Sequence, residues 1–208
     1  MHLEIYRQHI EELVPDENND GLAEKRFENA GRKYVEETLK LSKNLRPNAK
    51  WGYYAFPYCF SKGLSTDCPA DVKKENDRTG WMFFHEDIIL PSVYLNKNMK
   101  SQERQSMVKA RIREAVRASK TYSSTSKPIF VYIRYVYADS RKLLTESDLL
   151  MVFQNAKALG ANGIILWGSS NDLKSRDSCD NLQQYLENTM GPISQSFSSR
   201  ISVDLVND

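Results

Sequence analysis

The sequence predicts an α/β fold built around a parallel sheet or barrel. Two observations carry that expectation. Four short apolar or aromatic runs alternate with long stretches of helical periodicity, and parallel neighbours need crossovers of that length. The short runs are rich in β-branched and aromatic residues, whereas the helical stretches interleave acids and bases along one face. A third observation bounds the architecture. Four strand-like runs in 208 residues are too few to close a (β/α)8 barrel, whose usual size is ~250 residues or more. An open doubly wound sheet would be complete at this length. That fold commonly carries a Gly-rich phosphate turn, however, and none of the nine glycines forms one.

The elements follow in order. From Leu22 to Leu45, the residues Ala23, Phe27, Ala30, Tyr34, Leu41 and Leu45 fall on one face. This predicts a long amphipathic helix that Arg46-Pro47 should end. Trp51–Ala55 reads as a first strand, stopped by Pro57, and a cysteine loop follows. The polar stretch VKKENDRTGW reads as a charged loop, and Ile88–Leu95 as a second strand with a proline suited to a bulge. Gln102–Lys120 is again helical. Ile129–Tyr137 (IFVYIRYVY) is a third strand, and Thr145-Glu-Ser-Asp148 opens a helix that ends at Gly160. Gly163–Trp167 is a fourth strand, and Asp180–Met190 a last helix stopped by Gly191-Pro192.

Composition excludes several classes. Lys+Arg 29 against Asp+Glu 27, a net charge of +2, gives no polyanion signal, so nucleic acid is not an expected partner. No stretch is long and apolar enough to cross a bilayer, and residues 1–19 read as an amphipathic segment without the apolar core of a secretory signal. The three cysteines leave alternatives open. A Cys59–Cys68 bridge would close a short loop and contribute about 3 kcal/mol in the chain-entropy model. Cys179 would then be left over, with an absent partner or as a free thiol; three reduced cysteines are the other reading. No Cys-x-x-Cys spacing occurs, so metal is not the competing reading, and no cofactor is expected.

Three strand ends share a character: Tyr54, Tyr94 and Trp167 stand near the carboxyl ends of the first, second and fourth strands. In a parallel barrel these ends gather on the face where active sites sit. A ring of Tyr and Trp there suits a sugar, whose C–H faces stack on indole while phenols bond its polar groups. Ser169, Ser170 and Asn171 extend a polar rim. Aromatics in strands are also ordinary core residues, and that blander reading applies to Tyr54 and Tyr94 more than to Trp167, where the chain turns polar at once. Glycoside hydrolysis needs a closely placed carboxyl pair. No Asp-x-Glu occurs. Glu75-Asn-Asp77 reads as part of a polar loop, Glu146-Ser-Asp148 as a helix cap, and Glu86-Asp87 lies at the wrong end of its strand. The three histidines are scattered and there is no Gly-x-Ser-x-Gly elbow.

The blocks WGYYAFPYC, ENDRTGW, LPSVYL, RIREAVR, GANGIILWGSSND, Cys179 and YLENTMGP, in that order, resemble the animal and venom hyaluronidases (glycoside hydrolase family 56). The resemblance implies that residues 1–208 are one partial domain, the C-terminal part of a distorted, incomplete (β/α) TIM-like barrel. It implies a secreted enzyme that cleaves the β-1,4 bonds of hyaluronan with retention, using the substrate's own acetamido group as nucleophile. In the family that group is oriented by an aspartate two residues before the catalytic glutamate, on a strand upstream of the block matching Phe27–Leu45. Neither acid is therefore expected in this chain, and a non-catalytic hyaluronan-binding protein is the alternative. By the same resemblance Tyr54, Tyr94 and Trp167 wall the acetamido pocket, and Ser169 and Ser170 line the groove rim. Arg111 matches an arginine of the family, and a buried structural ion pair is the blander reading of it. Cys59 and Cys68 are implied to form a local bridge, and Cys179 to pair upstream.

Overall fold

The computed structural model describes residues 20–60 and 63–198; the amphipathic segment read over residues 1–19 lies outside them. The chain divides into two compact units, 1–49 and 50–208. In the first, helix α1 (Asp20–Leu45) is a single uninterrupted rod, two residues longer at its start than the periodicity predicts. Arg32 and Glu36, one turn apart, form an ion pair along it. Phe27, Tyr34, Leu41 and Leu45, which the sequence places on an apolar face, are exposed.

The second unit holds a parallel ladder. β1 (Phe130–Arg134) and β2 (Gly163–Trp167) pair in parallel, with Phe130 opposite Gly163 and Arg134 opposite Trp167. Segment 88–95 joins the other side of β1 through parallel bridges Ile89–Ile129 and Ser92–Tyr132. Segment 51–55 joins that segment through the bridge Tyr54–Leu90. The four predicted strands are therefore laid side by side in chain order, as in a barrel wall. Only the last two are regular strands. Pro91 donates no ladder bond in the second, and Ala55 at φ 72° turns the first away immediately after Tyr54. The wall is open: among the described residues β2 pairs with β1 alone.

Helices occupy the crossovers. The stretch read as a charged loop forms α2 (Ala70–Arg78) and α3 (Gly80–His85). Its polarity misled the reading, because α2 is a surface helix that buries little beyond Asn76 and a partly buried Val72 packed on Cys59, Cys68 and Ala110. Glu75 and Asp77 therefore sit on a helix. α4 (Ser101–Thr121) buries Met107, Val108, Ala110, Ile112, Ala115 and Ala118. α5 (Glu146–Ala158) starts where expected: the Thr145 hydroxyl accepts from the Asp148 N–H, and Gly160 takes φ +86° beyond its end.

The C-terminal helix differs more. α6 (Arg176–Tyr185) begins four residues before the expected start, because Ser175 caps it by accepting from the Ser178 N–H. A π turn (Leu186–Met190) then leads into α7 (Gly191–Phe197). Pro192 does not stop the helix. It stands in the first turn of α7, where its missing N–H leaves no bond unmade. No helix among the described residues is long and apolar enough to cross a membrane, and no described cluster of His, Cys, Asp or Glu could hold a metal ion.

Candidate substrate-binding site

Tyr54, Tyr94 and Trp167 come together at the carboxyl ends of the parallel segments. The Tyr94 and Trp167 rings are stacked at 6.0 Å with planes 16° apart, and Tyr54 stands 6.2 Å from Tyr94, tilted by 34°. Tyr54 is 45% and Trp167 42% exposed, so two aromatic faces meet solvent at one end of the wall. Burial, followed by a hydroxyl contact with Tyr54, pushes the Tyr94 phenol far above its ordinary pKa. It is a neutral donor at any physiological pH.

Two members of this group were not legible as site residues. On β1, Val131 and Ile133 point into the core while Tyr132 and Arg134 take the alternate face. Tyr132 meets Tyr54 edge-on at 4.9 Å. The Arg134 guanidinium lies 5.3 Å from the centre of the Trp167 ring, within cation–π range. The available signal was a charge at the end of an otherwise apolar strand.

Arg134 is fixed in turn by Asp172, at 2.6 Å. Asp172 Oδ2 also accepts from the Ser169 N–H at 3.1 Å, closing a short 3-10 turn (Ser170–Asp172) after β2. Burial alone would raise the Asp172 carboxyl. The bonds from Arg134 and Ser169, with the charge of Arg141, outweigh it and hold the group below the usual carboxylate range. Ser169 is half-buried and its hydroxyl accepts from the Asn171 N–H, leaving its own O–H to donate; Ser170 is exposed on the rim. Gly168 is required between indole and rim, because a Cβ there would collide with the Tyr135 ring.

The opposite side of the group is braced from behind. Among the described residues Arg111 makes no ion pair. Its Nε donates to the Cys59 carbonyl at 3.2 Å and its Nη1 to the Ser92 carbonyl at 2.7 Å. It therefore ties the loop after Tyr54 to the segment that carries Tyr94. Burial pulls its pKa down, opposed by the nearby Tyr54 and Tyr58 phenols. The two carbonyl dipoles satisfy donors of the largely buried guanidinium. Cys59 and Cys68 are joined by a disulfide, and Cys179 is an exposed free thiol.

Beside the bridge, Asn76 accepts from the Tyr58 N–H and donates to the Tyr58 carbonyl. Asn76 also donates to Glu114, whose side chain is 0% exposed and is paired with Arg117 at 2.7 Å. Arg117 reaches Asp77 as well, at 2.8 Å. The ENDR and RIREAVR segments thus form one polar network behind the tyrosine loop. Glu86 and Asp87, far from any catalytic placement, accept from the Tyr53 and Trp51 N–H groups and hold the start of the first segment.

What this arrangement can do is grip. It offers aromatic faces, a neutral phenol and a hydroxyl rim. Asp172, the carboxylate tied to this group, is spent on Arg134. Comparison of the whole chain with known proteins gives its family. Residues 2–201 match the hyaluronidase family profile of glycoside hydrolase family 56. The chain is 38% identical to a hyaluronidase of Apis mellifera over 203 residues, covering 93% of this chain and 53% of that protein. It is 40% identical to a hyaluronidase of Polistes annularis over 210 residues, covering 96% and 57%. The structure resembles the monoclinic crystal structure of bee venom hyaluronidase with a TM-score of 0.85 at 36% identity, covering 94% of this chain and 66% of that one. It also resembles that enzyme in complex with a hyaluronic acid tetramer, with a TM-score of 0.84 over 93% of this chain and 63% of the other. The chain spans a little over half the length of the Apis and Polistes relatives. By profile, identity and fold, this chain belongs to the hyaluronidase family.

Proposed function

We propose that this chain is the substrate-groove portion of a secreted hyaluronidase, one part of a single barrel domain whose acid pair lies outside these 208 residues. The observation that carries the reading is the aromatic group itself: Tyr94 stacked on Trp167, with Tyr54 and its edge contact Tyr132 beside it, open to solvent at the strand ends. A likeness to a protein solved with a hyaluronic acid tetramer supports it.

In this mechanism the acetamido methyl of an N-acetylglucosamine ring packs on the Trp167 indole. The Tyr94 hydroxyl donates to the acetamido carbonyl, and Tyr54 closes the far side. An amide is a weak nucleophile, so holding its oxygen in line with the anomeric carbon contributes several kcal/mol, on the order of the smaller effective-molarity gains. The walls also keep water from competing for that carbon. Ser169 and Ser170 bond sugar hydroxyls at the rim. An acid outside this chain protonates the leaving oxygen, and the ring closed by the acetamide opens to water with net retention. Cys179 pairs with a cysteine outside the chain, and the Cys59–Cys68 bridge and Arg111 hold the tyrosine loop in place.

A second reading is a protein that binds hyaluronan without cutting it, favoured by the lack of Asp-x-Glu in the sequence. One assay separates the two: release of reducing N-acetylglucosamine ends from hyaluronan, by this chain and by a chain extended upstream. The expected result is cleavage by the extended chain only. Cleavage by the 208 residues alone would overturn the mechanism, and silence from both would leave the binding protein.

A further inference from the structure

We infer that Asp172 is a positioning residue of the proposed reaction. Through Arg134 it holds the Trp167 indole and cancels the cation beside it, so that the pocket presents a neutral wall to the positive charge that forms on the substrate. This role rests on the proposed reading of the aromatic group and is assigned to a buried ion pair that the mechanism leaves unused.

A cation stands where the pocket can feel it. The Arg134 guanidinium lies 5.3 Å from the centre of the Trp167 ring, and a group packed on that indole at about 4 Å is within roughly 10 Å of it. Its field reaches the other wall too. Burial and then Tyr54 push the Tyr94 phenol up, and Arg134 opposes them. In the proposed reaction the acetamido oxygen gives an electron pair to the anomeric carbon. The bond to the leaving oxygen breaks, and the acid's proton goes to that oxygen. One positive charge is then shared over the O–C–N unit of the closed ring, until water opens it and returns a proton to the acid's conjugate base. An uncancelled guanidinium would repel that charge, yet has none to repel in the neutral acetamide that binds first. A unit charge roughly 10 Å away, at an effective dielectric constant of about 20, changes a rate by about tenfold.

Asp172 is the group that cancels the cation. Its side chain is 2% exposed and stands 2.6 Å from Arg134, itself 14% exposed. Burial would raise the carboxyl, but the bonds from Arg134 and Ser169 overcome it and keep Asp172 ionised. The other cation near Asp172, Arg141, is exposed, so water screens it.

The pair is poorly built for stability. One bond joins Arg134 Nη2 to Asp172 Oδ2, while Arg134 Nε and Asp172 Oδ1 are both buried without a hydrogen-bond partner. A forked pair would satisfy both atoms. Apolar residues of the same volume commonly hold a fold as well as such a pair or better. They would not hold this indole. At 42% exposed it gains little from packing, so a cation anchors it, and the anchor needs a counter-charge.

The test reads rate in the upstream-extended chain and binding in the 208 residues. Asp172→Asn keeps the shape and leaves Arg134 uncancelled. It is expected to lower kcat for hyaluronan about tenfold, with KM within about twofold of the parent's. Adding Arg134→Met removes both charges and is expected to bring kcat back to within about threefold of the parent's. A merely structural pair predicts a double variant no better than the single one. NMR titrations of the 208-residue chain compare hyaluronan tetrasaccharide with its de-N-acetylated form, which carries ammonium groups. Asp172→Asn should weaken the ammonium form about tenfold more than the acetylated one, and the double variant should remove that difference. If kcat in the double variant stays as low as in Asp172→Asn, or if KM alone moves, charge cancellation is wrong and the proposed function stands. If Asp172→Asn shows neither the kcat loss nor the discrimination against ammonium, Asp172 has no part in the pocket. If the extended chain cuts nothing but the tetrasaccharide binds, the binding comparison decides by itself. If the 208-residue chain binds neither saccharide and the extended chain is silent, the proposed function falls and this role with it.

Discussion

On one side of the aromatic group, Tyr54 and Tyr94 ride on segments bonded from behind by Arg111, by the Cys59–Cys68 bridge and by the Asn76–Glu114–Arg117 network. On the other side, Trp167 ends a strand paired on one edge only among the described residues, with Arg134 and Asp172 as its support. The tyrosine wall is preorganised by the protein's interior. The tryptophan wall depends on one ion pair and a three-residue turn. The difference teaches that the site is held by two separable devices, one coupled to global stability and one local.

That contrast can be broken in a graded way. The largest expected effect is Glu114→Ala. Removing a fully buried carboxylate leaves Asn76 and Arg117 short of a partner at once and should cost about 3–4 kcal/mol, read as a lower urea midpoint. Replacing Cys59 and Cys68 together by alanine should cost about 2–3 kcal/mol, visible as a lower Tm. Either change should loosen the tyrosine wall with the rest of the second unit.

Asp172→Asn should act differently. It is expected to cost about 1–2 kcal/mol, the scale of a charged hydrogen bond, while moving the Trp167 indole resonance and the Ser169 amide far more than those of Tyr94. If Tyr94 shifts as much, the two walls are one unit. The same variant carries a pH test. The folded Asp172 pKa lies below the unfolded value of about 3.9, so its stabilisation is present above that value and is lost as pH falls through the folded one. Asp172→Asn should therefore flatten the acid limb of the stability curve and leave neutral pH dependence alone. The smallest effect is expected from Ser169→Ala, about 0.5–1 kcal/mol for a lost cap, with faster exchange at the Asn171 N–H as its signature.

Much of this was legible in the sequence. Strand order, the two regular strands, the Thr145 cap and the gathering of Tyr54, Tyr94 and Trp167 all follow from local pattern, because strand alternation and capping depend on residues near in sequence. Helix α2 was not legible. Its inward-facing residues include Asn76, and a helix that buries an amide in place of a leucine has no apolar period to read. The role of Arg111 was also misjudged: a half-buried arginine suggests a carboxylate, but carbonyls 52 and 19 residues away fill its donors.

The residues by themselves determined that this chain is a parallel α/β wall with aromatic strand ends, without an Asp-x-Glu pair, and resembling the hyaluronidases. Only the tertiary structure decided what stands behind those aromatics. Arg134 under Trp167, Asp172 under Arg134 and Glu114 behind Tyr58 are joined across 33, 38 and 56 positions of chain. Such pairings carry no local periodicity. They form because a buried charged or polar group must find a partner wherever the fold brings one within reach.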